Sequence, residues 1–273
     1  MAMRLSPHMT VMANAAQKAS KRLLRDFSEV EQLQVSIKGP SDFVSQADIR
    51  AEQTIKEELT KARPGYAFLM EESGASGSDN WMWRWVVDPL DGTTNFLHGI
   101  PHWAISIALE RKLRGGGTEI QAGLIYAPAV DEMFWAEKGG GAFVNERRLR
   151  VSARKDIHEA VFATGVPFRA VSTQRRAAFS RTLAGLMPRV AGIRRFGAAA
   201  LDLAWVAAGR YDGYWELGIK PWDVAAGLLI VREAGGYVTD VEEGDPLETG
   251  NIVAANTHLH PVLRQAALEG MKP

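Results

Sequence analysis

An apolar run ends in two acids and a turn in the stretch Trp85-Val86-Val87-Asp88-Pro89-Leu90-Asp91-Gly92-Thr93-Thr94-Asn95-Phe96. The residues from 81 to 88 alternate at a period of two, and this spacing predicts a strand that ends at Asp88. Gly92 lets the backbone come close to a ligand, because it has no side chain. We therefore predict a strand that carries two carboxylates, those of Asp88 and Asp91, to a binding site.

Helices and strands are predicted on both sides of this stretch from hydrophobic periodicity. Helices are predicted at 8–27, 48–62, 174–187, 198–208, 222–234 and 258–269. Strands are predicted at 66–70, 161–164, 194–196, 214–216, 237–240 and 252–255, with an antiparallel meander over 104–144. Residues 73–80 are rich in Gly, Ser and Asp, so we expect a mobile loop there. The change of pattern near residue 150 predicts one subdomain over 1–150 and a second over 151–273.

The composition excludes several classes of function. The chain has 273 residues, with 32 basic and 32 acidic side chains, so no overall charge draws it to nucleic acid or to an anionic membrane. Cysteine is absent, which excludes disulfides, thiolate nucleophiles and Cys-ligated zinc. No apolar stretch has the length of a membrane span or a signal peptide. We expect a cytoplasmic protein that binds neither membranes nor nucleic acid directly.

Two further acidic sites lie outside the central stretch. Glu71-Glu72 follows a predicted strand, and Asp223 falls in the first turn of a predicted helix. Each acid taken alone has a simpler explanation, as a solvated side chain or as a charge at a helix N-terminus. Carboxylates gathered in one cleft would repel one another and would need raised pKa values or bound cations. Oxygen ligands favour Mg²⁺, which suggests phosphate chemistry.

Other catalytic sites and binding surfaces fit the sequence less well. The His residues lack the spacing of a zinc hydrolase, and Ser106 lacks the flanking glycines of a serine hydrolase. The alternating Trp81, Trp83 and Trp85 could stack on single-stranded nucleic acid, but a packed strand face is the better interpretation. The pair Arg194-Arg195 is expected on a solvated face, although a partner surface stays possible.

Three separated motifs carry a resemblance to a known family. They are Phe68-Leu69-Met70-Glu71-Glu72-Ser73-Gly74, the stretch from Trp85 to Phe96, and Pro221-Trp222-Asp223-Val224-Ala225-Ala226-Gly227. In this order they resemble the inositol monophosphatase family of lithium-sensitive, magnesium-dependent phosphatases. Residues 163–168 and 249–254 are similar to its bacterial, SuhB-type branch. The resemblance implies an α/β (α+β) fold, the layered αβαβα sandwich.

The resemblance also implies two or three magnesium ions in each active site. One ion would be held by Glu71, Asp88 and the backbone carbonyl of Leu90. A second would lie between Asp88, Asp91 and Asp223. A third, mostly hydrated, would use Glu71.

Roles for the attacking water and for the phosphate follow from the same resemblance. Thr93, hydrogen-bonded to Asp48, would orient a metal-activated water together with Glu71. The backbone N–H groups of Gly92 and Thr93 would receive phosphate oxygens, as N–H groups at a loop-to-helix junction do.

Substrate hydroxyls would be bound by Asp91, Glu216, Asp223 and the backbone of Ala199, and Lys38 would approach the phosphate from an N-terminal loop. The resemblance therefore implies hydrolysis of myo-inositol 1-phosphate or a similar polyol phosphate.

The natural substrate is less well defined than the reaction, because the chain departs from the family pattern at two positions. Met70 stands where Gly is common, and Ala198 stands where Ser or Thr is frequent near the substrate. Fructose 1,6-bisphosphate, histidinol phosphate and 3′-phosphoadenosine 5′-phosphate are alternatives. A regulatory role with the transcription machinery, known for SuhB-type relatives, is a second hypothesis. The family also implies a homodimer.

Overall fold

The computed structural model describes residues 5–29, 35–39, 42–167 and 172–272, and for 35–39 and 42–45 the description is limited to the backbone. The helices in these ranges are α1 Pro7–Ser28, α2 Gln46–Ala62, α3 Thr93–Leu97, α4 Thr173–Leu186, α5 Ala199–Ala207, α6 Pro221–Glu233, α7 Pro246–Thr249 and α8 His260–Met271. The strands are β1 Val35–Gly39, β2 Asp42–Ser45, β3 Ala67–Met70, β4 Gly74–Ser76, β5 Trp83–Asp91, β6 Ala104–Lys112, β7 Thr118–Ala127, β8 Glu132–Glu137, β9 Gly141–Val144, β10 Arg147–Arg148, β11 Val161–Thr164, β12 Gly192–Arg194, β13 Gly213–Leu217, β14 Tyr237–Asp240 and β15 Asn251–Ala255.

The strands form a small hairpin and two larger sheets. Strands β1 and β2 pair with each other. Eight strands form the first large sheet in the order β10-β9-β8-β7-β6-β5-β3-β4, in which β3 and β5 run parallel and the meander from β5 to β10 is antiparallel. The second has the order β12-β11-β13-β15-β14, with parallel pairs around β11 and antiparallel pairs around β15.

Three buried clusters show how the layers stack. Met12 of α1 and Ile55 of α2 pack with Val87 on one face of the eight-stranded sheet. The opposite face contributes Val86 to a central core that contains α5, α6 and residues of the second sheet. The outer face of that second sheet packs against α4 and α8 through residues such as Leu263. The resulting order is helix, sheet, helix, sheet, helix, which confirms the predicted αβαβα sandwich.

Most predicted elements are present, with boundary shifts of a few residues. The strand predicted at 194–196 is at 192–194, and β5 continues through Asp91 instead of ending at Asp88. The loop predicted over 73–80 is wrong for Gly74–Ser76, which pairs with β3 as an edge strand. Gly77 makes this pairing possible, because a Cβ there would come within 2.9 Å of the Ala67 backbone. The division into two subdomains at residue 150 stays a prediction.

Among the described helices, none combines the length and the apolar character that a membrane span requires.

Candidate active site

The two acids of the central stretch reach the same side of β5 because the strand contains a bulge. Asp88 pairs with Ser106 and Asp91 with Ala104, so β5 advances by three residues where β6 advances by two. On a regular strand, side chains three residues apart point to opposite faces. The one extra residue in β5 is a bulge, and it brings the side chains of Asp88 and Asp91 to the same face. Leu90, between them, is buried on the α1 and α2 side. The bulge therefore turns both carboxylates toward the central layer.

Asp88 and Asp91 line a cavity of about 140 Å³ between β5, α5, β13 and the start of α6. This volume is small beside the roughly 300–1,000 Å³ of pockets for drug-sized ligands, so the cavity suits a small substrate. Nine of the residues predicted for the site line it: Glu71, Asp88, Leu90, Asp91, Gly92, Thr93, Ala199, Glu216 and Asp223. The convergence of the three sequence motifs on one cavity is thus observed.

Backbone N–H groups hold three of these carboxylates in place. Asp88 accepts a hydrogen bond of 2.8 Å from the N–H of Leu90, within the bulge. Asp91 accepts one of 2.7 Å from the N–H of Ala200 in the first turn of α5. Asp223 accepts one of 3.0 Å from the N–H of Lys220, the residue that precedes the first turn of α6. Each carboxylate keeps acceptor capacity for a further ligand.

The acids shift one another's protonation. Burial, and then the neighbouring Glu71, Asp91 and Asp223, raise the pKa of Asp88 well above its usual value. Burial, and then Asp91 and Glu71, raise the pKa of Asp223 in the same way. The pKa of Asp91 is also raised well above its usual value, mainly by burial, although the Ala200 N–H opposes the shift. A bound cation would relieve this crowding.

Three side-chain hydrogen bonds, from Asn95 and Ser106, hold the segments around the cavity together. The buried amide of Asn95, in α3, donates to the carbonyl groups of His102 and Phe196 at 2.8 and 2.7 Å. This links α3 to the segment that leads into α5. The hydroxyl of Ser106 donates to the carbonyl of Trp222 at 3.1 Å and so fixes the start of α6 beside β6. Both residues therefore have structural roles, and Ser106 is not placed as a nucleophile.

Gly92 is required where the chain leaves β5 for α3. Its φ is 93°, in the left-handed region that L side chains rarely adopt. A Cβ at this position would lie 2.9 Å from the carbonyl oxygen of His102 and 3.2 Å from the Cβ of Ala198. The turn is therefore confined to glycine.

Glu216 reaches the cavity from β13 because Gly165 leaves room for it. A Cβ on Gly165 would lie 2.0 Å from the carboxylate of Glu216. The buried hydroxyl of Tyr214 donates a hydrogen bond to the same carboxylate. Burial raises the pKa of Glu216, while Tyr214 and Arg195 oppose the rise.

Three of the predicted site assignments are not settled by these contacts. Asp48 is buried in the first turn of α2 and is not among the described residues that line the cavity. The Thr93 hydroxyl donates to the carbonyl of Leu90 at 3.0 Å, and its predicted bond to Asp48 stays a prediction. Lys38 lies in β1, and its side chain is outside the described part of the structure.

Two charged residues that line the cavity were not predicted from the sequence as site residues. Arg195 was expected on a solvated face, yet it lines the cavity beside Glu216 while staying exposed. Asp202, in α5, is 1 % exposed and also lines the cavity. The apolar surroundings of Asp202 in sequence were a usable signal, because a charge within an apolar helix needs a partner.

The set of oxygen donors fits magnesium. In the described ranges, no three acidic or His side chains are placed as ligands around a single point. Mg²⁺ does not need three, since it takes one or two carboxylates together with water and substrate phosphate oxygens. Glu71, Asp88, Asp91, Asp223 and the carbonyl of Leu90 would be enough donors for such an ion, and the raised pKa values of Asp88 and Asp223 give a reason for a cation to bind.

Comparisons with known proteins agree with this site. The profile of the inositol monophosphatase family matches residues 5–271. The chain is 55% identical over 258 residues to an inositol-1-monophosphatase of Rhizobium meliloti, covering 94% of each chain. It is 43% identical to the Nus factor SuhB of Pseudomonas aeruginosa, covering 93% of each.

A solved structure shows the same fold. The extragenic suppressor protein suhB of Bartonella henselae superposes with a TM-score of 0.91 at 53% sequence identity, covering 97% of this chain and 100% of that one. Together with the layered fold and the converging acids, these matches show that the chain belongs to the inositol monophosphatase family.

Proposed function

We propose that this protein is a Mg²⁺-dependent phosphomonoesterase that hydrolyses myo-inositol 1-phosphate or a similar small polyol phosphate. The observation that supports this most directly is the meeting of Glu71, Asp88, Asp91 and Asp223 in one small cavity. Burial and neighbouring acids raise the pKa of Asp88, Asp91 and Asp223, which favours the binding of cations in this cavity. A dianionic phosphate enters such a cavity only together with them.

In this proposal, two or three ions are held by Glu71, Asp88, Asp91, Asp223 and the carbonyl of Leu90. Bound magnesium supplies Lewis-acid activation of water and neutralises charge around the phosphorus. The N–H groups of Gly92 and Thr93, at the start of α3, bind phosphate oxygens. No side chain in the described part of the chain caps this helix, which leaves its first turn accessible to an anion.

The remaining side chains orient the water and the substrate. Glu71 and Thr93 hold the attacking water, with Asp48 supporting Thr93 from α2. The Thr93 hydroxyl has one proton, which it donates to the Leu90 carbonyl at 3.0 Å in the structure, so the bond to Asp48 requires the hydroxyl to turn away from Leu90 while its oxygen accepts from the water. Carboxylates accept hydrogen bonds from sugar hydroxyls, which assigns Asp91, Glu216 and Asp223 to the polyol. The Ala199 backbone and Lys38 complete the binding set.

Replacement of either of two acids tests the reaction class. We expect Asp91→Asn and Asp223→Asn each to reduce Mg²⁺-dependent phosphate release by at least about a thousandfold, since each removes a charge next to the ions. Without Mg²⁺ the melting temperature should not fall, because burial raises the pKa of both acids and a neutral side chain avoids the cost of a buried charge. Phosphate release is measured with Mg²⁺ and thermal unfolding without it, on the same preparations.

Asp79→Asn is the matched control, because Asp79 is exposed outside the cavity. It should behave as the wild type. Full turnover in both cavity variants would show that the acids do not carry the reaction.

The identity of the substrate is tested by a panel. Wild-type kcat/KM would be compared for myo-inositol 1-phosphate, fructose 1,6-bisphosphate, histidinol phosphate and 3′-phosphoadenosine 5′-phosphate. The proposal expects the inositol ester to be preferred, and a preference for any of the other three would replace it.

A second function is favoured by the relative called a Nus factor. The 43% identity to the Pseudomonas aeruginosa protein supports a partner in the transcription machinery, in addition to catalysis. The test is capture of RNA polymerase from lysate by wild-type and Asp91→Asn baits. If neither bait captures it, this second function is dropped.

We further propose that the protein acts in the cytoplasm as a homodimer. The cytoplasm suits a chain without cysteine, since nothing in it requires an oxidising compartment. Light scattering at micromolar concentration should give twice the chain mass of 29.9 kDa. A mass equal to that of one chain would contradict the dimer.

A further inference from the structure

Asp202 is a buried carboxylate that the proposed mechanism leaves without a task. It lies in the first turn of α5 and is 1 % exposed, yet it lines the catalytic cavity. Its Oδ1 atom accepts no hydrogen bond from any residue that the structure describes. An unpaired acceptor at this depth costs about 1–3 kcal/mol or more for a charged group, so its retention calls for a reason.

The surroundings of Asp202 are those of a binding position. Burial and the nearby Glu216 raise its pKa, whereas Arg195 acts in the opposite direction. Arg195 is the one basic side chain among the described residues that line the cavity. The three residues therefore form a small charged group on the side of the cavity made by α5 and β13.

We infer that Asp202 is a specificity-determining residue whose carboxylate accepts a hydrogen bond from a hydroxyl group of the substrate. Its partner must be a donor, because a carboxylate offers acceptors alone when ionised. A hydroxyl is the donor that a polyol phosphate supplies. A second phosphate fits less well, because Asp202 and Glu216 together outweigh one arginine. The inference rests on the proposed function and adds a fourth carboxylate to the polyol-binding set.

A purely structural role for Asp202 makes a different prediction. An acid in the first turn of a helix can stabilise the helix through its dipole, by about 0.3–1 kcal/mol when exposed. Loss of that effect would lower the melting temperature and would impair the hydrolysis of all phosphate esters alike. A role in substrate selection would change the ratio between esters.

The experiment uses Asp202→Asn, which keeps the size of the side chain and removes its charge. The ratio of kcat/KM for myo-inositol 1-phosphate to that for phenyl phosphate, which has no hydroxyl groups, should fall about ten- to a hundredfold, mainly through KM. Asp240→Asn is the matched control, because Asp240 is equally buried but lies outside the cavity. It should leave the ratio as it is in the wild type. A ratio in Asp202→Asn within about twofold of the wild-type ratio would overturn the inference.

A second measurement covers the case in which Asp202→Asn does not fold. The wild type and Asp202→Ser are assayed with inositol 1-phosphate analogues that each lack one hydroxyl. One analogue should be a poor substrate for the wild type, and this penalty should vanish in the variant; penalties equal in both proteins would overturn the inference. If the wild type releases no phosphate from any ester with Mg²⁺, the proposed function itself fails. If the wild type is active and the variant shows the same penalties as the wild type, the role of Asp202 is refuted while the proposed function stands.

Discussion

At the scale of single residues, the site depends on small side chains that make room for acids. Gly165 is the clearest case, because the carboxylate of Glu216 occupies the space that a Cβ would take. Ala198 is a second, since it is fully buried against the Gly92 turn. Larger residues at such positions would move the acids without touching the substrate.

We expect Gly165→Ala to affect activity more than stability. The atoms in the way belong to the end of a flexible side chain, so Glu216 can shift at a cost of about 1 kcal/mol. The shifted carboxylate would bind the polyol poorly, and kcat/KM for inositol 1-phosphate should fall about tenfold. Steady-state kinetics and thermal unfolding give the two values.

Gly185→Ala serves as the control, because Gly185 lies on an exposed face of α4 with no atom within 4 Å of a new Cβ. It should be slightly stabilising and fully active. A Gly165→Ala enzyme with wild-type kinetics would show that Glu216 does not contact the substrate.

Residue patterns revealed much of this site, but not all of it. Acids that follow apolar strands, as Glu71 and Asp88 do, carry a local signal that the sequence displays directly. Asp202 and Arg195 carry none of comparable strength, because their approach to the cavity depends on how α5 packs between the sheets. The left-handed backbone at Gly92 was foreseeable from its turn, whereas the space left by Gly165 was not.

At the scale of elements, β5 and α6 bring acids from distant parts of the chain together. The β5 bulge was not predicted, because hydrophobic alternation ends where the bulge begins. Helix α6 was predicted within one residue, and its close approach to the sheet was not. That approach occurs at Gly123 of β7, where a Cβ would lie 2.7 Å from the carbonyl oxygen of Ala226.

Gly123→Ala should therefore destabilise the fold by about 3 kcal/mol or more, because backbone atoms of α6 stand in the way and cannot rotate aside. Alanine in place of a strand glycine would otherwise be neutral or favourable. Chemical denaturation measures the loss, and Gly185→Ala is again the control. Equal stability of Gly123→Ala and the wild type would mean that α6 can move away from the sheet at little cost.

Element boundaries were predicted well where the hydrophobic periodicity extends over many residues. Helix α1 is one residue longer at each end than the predicted 8–27, because Ser6 caps its N-terminus and Pro7 starts it. Length alone did not decide which short strands could be predicted, because the strands predicted at 161–164 and 237–240 have those bounds in the structure. The hairpin of β1 and β2 was not predicted. Strand β4 was not predicted either, because it lacks a large apolar side chain and exists through its pairing with β3.

At the scale of the whole molecule, the five layers hold the acids at a fixed distance from one another in spite of their repulsion. The pKa values of Asp88, Asp91 and Asp223 are raised by folding. A raised carboxyl pKa means that the folded state binds more protons than the unfolded state. These acids therefore contribute stability below their unfolded pKa, and that contribution is lost as the pH rises through their folded pKa values.

Magnesium should reverse this loss. Without the ion, the melting temperature should decline as the pH rises from about 5 to 8, apart from contributions of other groups. With 5 mM MgCl₂ the gain in melting temperature should be larger at pH 8 than at pH 5, because cations bind the ionised acids. Asp91→Asn should show a smaller gain. An equal gain at both pH values would indicate that magnesium binds elsewhere.

Calorimetric titration of magnesium chloride into the protein, in the presence of orthophosphate, measures whether these acids bind magnesium. The converging carboxylates predict saturable heat for the wild type and for Asp79→Asn, with a large loss of affinity in Asp91→Asn. Absence of saturable heat in the wild type, or equal affinity in Asp91→Asn, would contradict the account.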